Sequence, residues 1–150
     1  MSRDGVNIPL NHLLSATFPG CSPGHRTEPI PTDAAVATYR LPAGAPAFCN
    51  TLAGSTRIVG IPDAVGALAA DTDTVEARLE LTGGIDDLRA VLDQVRADGD
   101  HERLGSAMEQ LVTTLTRAMD SPLTDSVRTG ISGALDAAGR LAQPVCQFPS

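Results

Sequence analysis

Apolar residues recur at steps of three and four along much of the chain, a spacing that places them on one face of an α-helix. The stretch from Asp73 to Asp98 is the clearest, and its predicted core positions are Val75, Leu79, Thr82, Ile85, Leu88, Leu92 and Val95. Asp73 with Glu76 three residues later is typical of a capping box at a helix start. A second stretch covers Glu102 to Met119, with Leu104, Met108, Leu111, Leu115 and Met119 on one face. We therefore predict two long amphipathic helices here.

A further helix is predicted on either side of this pair. The earlier one begins near Pro46, with Phe48, Leu52 and Val59 on one face, and continues as an apolar stripe to about Ala70. Gly60 and Pro62 must kink it, because proline lacks the amide proton of the helical ladder. The later one opens at Ser121-Pro122 and is stopped by Pro144. Its apolar positions are Leu123, Val127, Ile131, Leu135, Ala138 and Leu141.

The four predicted helices are joined by turns of only a few residues, which makes neighbouring helices antiparallel. We therefore predict an all-α fold over residues 46–150: an antiparallel four-helix bundle with its first helix kinked near Gly60-Pro62, after an extended N-terminal tether. The composition agrees, because 42% of residues are apolar but only 3% are aromatic. A core of Leu, Val, Ile and Ala favours helices over strands. Gly83 and Gly84 lie inside a helical stripe, where we expect them to allow close packing.

Cys49 lies at the beginning of the first predicted helix, and Cys146 lies just past the end of the last. In an antiparallel four-helix bundle these two points fall at the same end. We therefore predict a Cys49–Cys146 disulfide, which implies an oxidising compartment. The alternative is a pair of buried, reduced thiols in a cytosolic protein. If the two residues pair, Cys21 is the odd cysteine and has a different fate.

The segment "LLSATFPGC" ends at Cys21, with Leu13 and Leu14, small residues and then Gly20 before the cysteine. It resembles the end of a bacterial lipoprotein signal, which makes residues 1–20 a degenerate signal-like segment. The resemblance implies cleavage before Cys21, lipidation of its sulfur and anchoring to the membrane through that lipid. Phe18 and Pro19 depart from the usual residues of the motif, and the alternative is an ordinary loop cysteine.

Residues 21–45 are rich in Pro and Ala and lack helical or alternating periodicity, so we interpret them as a tether. As a flexible coil this tether would span roughly 25–30 Å. A short stretch, residues 35–41, is the exception: we expect it to form a strand or to lie against the domain.

Charge and histidine content limit the chemistry. A net charge of −7, no basic cluster and few aromatic residues argue against a nucleic-acid partner. No apolar run reaches the roughly 18 residues of a membrane span.

His12 lies in the signal-like segment and His25 in the tether, which leaves His101 alone in the helical domain. Without a second histidine, neither a histidine-based metal cluster nor a Ser-His-acid set can form there.

Two acidic groups and one small-residue face are the remaining candidates. Alternating carboxylates could hold Ca²⁺, but the full calcium-loop pattern is absent, so we interpret both groups as helix-end acids. They are Asp71, Asp73 and Glu76, and Asp98, Asp100 and Glu102. The small face of the last helix could receive a partner helix or a lipid, but we expect close helix packing instead. Its residues are Gly130, Gly133, Ala134, Ala137 and Ala138. We predict no catalytic residue, no metal and no cofactor.

The overall layout resembles small envelope lipoproteins of actinobacteria, and the eleven basic residues, all Arg, suit a high-GC genome. The resemblance implies an extracytoplasmic location, lipid-anchored or secreted, and a helical domain. Our leading hypothesis is a non-enzymatic, envelope-tethered domain that binds an envelope protein. The alternative is a carrier of a small apolar ligand, and a less favoured third is a cytosolic helical protein with free thiols. A carrier needs a hollow core of several hundred Å³, whereas a binding module needs a filled core and an exposed apolar patch.

Overall fold

The structure is a computed structural model, and it describes residues 39–149. These residues fall within one compact unit, Ala37–Ser150. They form six helices and, within this range, no strand, so the all-α prediction is confirmed. The helices are α1 (Phe48–Gly54), α2 (Thr56–Val59), α3 (Ile61–Ala69), α4 (Thr74–Asp98), α5 (Glu102–Met119) and α6 (Asp125–Cys146).

The first predicted helix is three short helices rather than one kinked helix. The break at Gly60 was predicted, and Pro62 lies in the first turn of α3. A second break, at Ser55, was not predicted. Ser55 has an extended backbone and its side-chain oxygen accepts a hydrogen bond from the Ile58 amide at 3.1 Å, which caps α2. Because α2 is a separate helix that begins after this break, the helical spacing of Phe48 and Leu52 does not continue to Val59. The prediction that Val59 lies in the core is therefore wrong, and the exposed fraction of Val59 is 69%.

The buried face of α4 differs from the prediction in its first two turns. Val75 and Leu79 are exposed, with accessible fractions of 74% and 69%, and Ala77 and Leu81 are buried instead. From Ile85 onward the predicted core positions are buried. The capping box is also wrong, since Asp73 has a left-handed backbone (φ +46°) and its side chain makes no capping hydrogen bond.

The buried residues of α4 lie on one continuous helical face, and the pair Gly83-Gly84 is where α2 and α3 pack closely on this helix. A Cβ atom on Gly84 would lie 2.9 Å from Ile61 Cγ1 and 3.0 Å from the Arg57 carbonyl oxygen, and one on Gly83 would lie 2.9 Å from Arg57 Cδ. The junction of α2 and α3 therefore packs directly on the α4 backbone at these glycines. Gly84 lies on the same helical face as the buried Ala77 and Leu81, and the prediction of close packing at Gly83-Gly84 is confirmed.

Both predicted ends of the last helix are wrong. The helix begins after Thr124, whose side-chain oxygen accepts from the Val127 amide at 3.3 Å, rather than at Ser121-Pro122. It also continues through Pro144 to Cys146, because Pro144 is exposed and only one backbone bond is lost in the final turn. The small-residue face divides: Ala134 and Ala138 are buried, whereas Cβ atoms on Gly130 and Gly133 would meet nothing within 4 Å.

The helices enclose one apolar core. α4 contacts α1, α2, α3 and α5, and α6 contacts α5 and α1. The largest fully buried side chains come from five of the six helices; they are Phe48, Ile61, Leu81, Met108, Leu115 and Ile131. Polar contacts at the rim join α4 to α5: Arg78 donates to the Met119 carbonyl at 3.0 Å, and Arg96 pairs with Glu109 at 3.0 Å. Within residues 39–149 the architecture is a helical bundle.

We predict opposite effects for Gly84→Ala and Gly133→Ala, although both glycines lie inside helices. A methyl group at residue 84 has no room beside Ile61, so the free energy of unfolding should fall by about 1–3 kcal/mol. Gly133→Ala should raise it by about 0.5–1 kcal/mol, because alanine orders the helix at a smaller entropic cost in open space. Urea unfolding of the two variants measures both changes. A Gly84→Ala protein as stable as the native chain would contradict the packing described here.

Candidate functional site at the disulfide-closed end

Cys49 and Cys146 form a disulfide, as predicted. Cys49 is the second residue of α1 and Cys146 is the last residue of α6, and their Cα atoms lie 5.3 Å apart. Both residues have an exposed fraction of 0%. The bond therefore lies inside the protein at the end of the helical domain where α1 begins and α6 terminates.

Tyr39 packs against this end of the domain. Its hydroxyl donates a hydrogen bond to the carbonyl oxygen of Cys146 at 2.7 Å. Its ring lies 5.3 Å from the ring of Phe148, between centroids, with the planes tilted by 45°. Gln143 Nε2 donates to the Phe148 carbonyl at 2.9 Å and so holds the chain beyond α6 in place. We expected residues 35–41 to form a strand or to lie against the domain, and Tyr39 lies against the domain.

Residues 39–47 run from the Cys146 carbonyl to the start of α1, and we call them the strap. A turn folds the middle of the strap, with the Ala45 amide donating to the Pro42 carbonyl at 3.0 Å and Gly44 at φ +79°. At its end, the Cys49 amide donates to the Pro46 carbonyl at 3.1 Å. The strap thus begins at one half-cystine and ends at the other.

His101 lies in the turn between α4 and α5, beside the strap. Its ring meets the ring of Phe48 edge-on, with centroids 5.5 Å apart and an angle of 81° between planes. Its Nε2 atom lies 3.3 Å from a carboxylate oxygen of Asp98, and 23% of its side chain is exposed. These contacts give His101 a packing role between α1 and the turn.

An open depression of about 640 Å³ lies beside His101. Strap residues 42–46 line it together with Val145, Gln147, Asp98 and Asp100. A neighbouring cleft is lined by Glu102, Arg103 and Leu141, among others. These clefts carry charged groups and open to solvent. Among residues 39–149, no three His, Cys, Asp or Glu side chains lie close enough to hold a metal ion.

The other distinctive surface feature is an apolar pair on the outer side of α4. Val75 and Leu79 are one helical turn apart and face away from the core, and we call them the outer patch. Acidic residues flank the patch, and none of them has an ion-pair partner within 4 Å among the described residues; they are Asp71, Asp73, Glu76 and Glu80. The sequence pattern had placed both patch residues in the core, so it missed this surface.

Cys21, the proposed lipidation site, lies outside the described residues, as do the signal-like segment, His12, His25 and the tether up to residue 38. Within residues 39–149, each helix is too short or too polar to cross a lipid bilayer. Comparison of the chain with models of protein families, with curated proteins and with solved structures found no match.

We expect removal of the disulfide to be strongly destabilising. Cys49 and Cys146 are 97 positions apart, and closing a loop of that length contributes about 4–5 kcal/mol in the chain-entropy account. Replacing both cysteines with alanine should therefore lower the free energy of unfolding by about that amount in urea titrations. As a control, alkylation of the denatured, unreduced native chain should label neither Cys49 nor Cys146. Equal stability of the double variant and the native chain would contradict this account.

Proposed function

We propose that this protein is a non-enzymatic helical domain, tethered to the cell envelope, that binds another envelope protein. In this proposal residues 1–20 direct export, Cys21 carries the lipid anchor, and the helical domain forms the binding surface. The observation that carries the binding role is the outer patch, where Val75 and Leu79 are exposed on the side of α4 opposite the packed core.

The extracytoplasmic location is supported by the Cys49–Cys146 disulfide, because such bonds persist in oxidising compartments and are rare in the cytosol. Secretion of the protein without a lipid anchor would also agree with this disulfide. The lipid anchor itself rests on the resemblance of the segment ending at Cys21 to a lipoprotein signal, and the actinobacterial origin rests on the layout and on the exclusive use of Arg.

The antiparallel four-helix arrangement is also part of the proposal, with α1, α2 and α3 together taking the place of one helix. It is supported by the contacts of α4 with α5, α5 with α6 and α6 with α1. The disulfide supports it too, since it joins the beginning of the first helix to the end of the last.

The partner surface can be described by its chemistry. The outer patch is apolar at its centre, and the exposed carboxylates around it have no ion-pair partner among the described residues. Complementary charge favours a protein surface with an apolar centre and basic side chains at its edge. An anionic lipid surface would be repelled by the same carboxylates, so we assign the patch to a protein.

The carrier hypothesis has less support. A pocket for an apolar ligand is lined mainly by apolar side chains and encloses most of the ligand. The clefts around His101 are instead open and are lined by Asp98, Asp100, Glu102 and Arg103. The large core side chains contact one another in one cluster. A binding surface outside the core therefore agrees better with the described residues.

The anchor predicts a specific processed form. Intact-mass analysis of the protein purified from its native host should give a chain that begins at Cys21 and carries added acyl mass. A secreted chain without acyl mass would support export but contradict the anchor. An unprocessed chain that begins at Met1, found in the soluble fraction, would contradict both.

The outer patch predicts selective loss of binding. We expect Val75→Ser with Leu79→Ser to weaken capture of a defined envelope protein by about tenfold or more, because truncating buried anchors removes most of the binding free energy at an interface. Quantitative capture from the detergent-solubilised envelope fraction, with the bound protein identified by mass spectrometry, provides the measurement.

Val59→Ser is the matched control, because Val59 is as exposed as Leu79 but lies on α2. It should leave capture of the same protein unchanged. Glu76→Gln with Glu80→Gln should weaken capture and reduce its sensitivity to salt. Equal loss with the α2 control would contradict a patch on α4, and so would retention of the chain by anionic vesicles instead of by a protein.

A further inference from the structure

We propose that the strap is a removable cover, and that lifting it is the step that gives thiol reductants access to the Cys49–Cys146 disulfide. The inference concerns residues 39–47 and the two half-cystines, and it does not depend on the proposed binding function.

The first observation is that the bond cannot be attacked in the folded protein. Thiol–disulfide exchange requires a thiolate to contact one of the sulfur atoms directly, and both half-cystines are fully buried. Reduction must therefore begin with an opening of the structure. The opening can be local or can be the unfolding of the whole domain.

The second observation is that one short segment is fixed at both half-cystines. The Tyr39 hydroxyl binds the Cys146 carbonyl at 2.7 Å, and the Pro46 carbonyl accepts from the Cys49 amide at 3.1 Å. Between these points the strap carries only a single turn and borders the open depression next to His101. Lifting residues 39–47 breaks few contacts, whereas moving α1 or α6 disrupts the core cluster that includes Phe48, Ile131 and Ala138. The strap is therefore the least costly opening at this end.

The chemistry after opening is ordinary exchange with an external thiol. A thiolate attacks one sulfur atom, forms a mixed disulfide with that cysteine and releases the other cysteine as a thiolate. A second thiolate, from the same dithiol or another molecule, then displaces the first cysteine. The protein gains two electrons and two thiols, and the reductant leaves as its disulfide.

The test is the rate of disulfide reduction by dithiothreitol in the full-length chain, under native conditions. Samples quenched with an alkylating reagent report modification of Cys49 and Cys146 by mass spectrometry. Tyr39→Phe keeps the ring but removes the hydrogen bond, so reduction should accelerate about fivefold, the factor that corresponds to one hydrogen bond. Tyr39→Ala also removes the contact with Phe148 and should accelerate reduction by about 30-fold or more.

Thr124→Ala is the matched control. It removes one capping hydrogen bond at the start of α6, at the opposite end of the helix from Cys146. This bond contributes about as much to stability as the hydrogen bond of Tyr39. If the strap is the gate, this variant should be reduced at the native rate within about twofold, although its overall stability falls. Equal acceleration by Thr124→Ala and Tyr39→Phe would show that reduction follows unfolding of the whole domain, and would overturn the proposal. A native rate in both Tyr39 variants would overturn it as well.

Discussion

The disulfide between Cys49 and Cys146 closes the arrangement of helices. α1 packs on α4, α4 on α5, α5 on α6, and α6 returns to α1, where the bond lies. Few aromatic side chains are available to hold such a ring together, since only 3% of the residues are aromatic. Within residues 39–149, Phe48 is the one aromatic side chain among the fully buried residues. A covalent link between the first and last helices therefore replaces part of the packing that a richer core would provide.

The glycine pair on α4 has an effect beyond its own contacts. The junction of α2 and α3 packs directly on the α4 backbone at Gly83 and Gly84, on the same face of α4 as the buried Ala77 and Leu81. The larger side chains of Val75 and Leu79 then point to solvent. The glycine pair thus sets how closely the short helices dock, and the opposite face of the same helix is where the protein exposes Val75 and Leu79.

Helix positions followed from the sequence because apolar spacing is a local property, and the cysteine pairing followed from the order of the helices. The errors have other causes. The first two turns of α4 carry apolar residues on opposite faces, with Val75 and Leu79 on one face and Ala77 and Leu81 on the other. The second face is the one that continues along the helix to Leu88, and Ile61 packs against it at Gly84. The helix break at Ser55 depends on a side-chain cap that many serines in helices do not make.

The disulfide-closed end was predictable only in part. The cysteines indicated where the ends of the domain meet, but the hydrogen bond from Tyr39 to Cys146 joins residues 107 positions apart and leaves no periodic signal. The sequence of residues 35–41 was compatible with a strand and with a segment packed against the domain, and it favoured neither. Pro144 was predicted to stop the last helix, but a proline that usually ends a helix is tolerated here at an exposed position in the last turn of α6.

The glycines of α6 have a consequence for the order in which the protein loses its structure. Gly130, Gly133 and Gly139 all face open space, and with Pro144 they give this helix a low intrinsic tendency to form. Its helicity must therefore come from docking on α5 and α1. Any opening that removes α5 or α1 would therefore leave α6 without the contacts that keep it helical, so α6 loses its structure together with its neighbours.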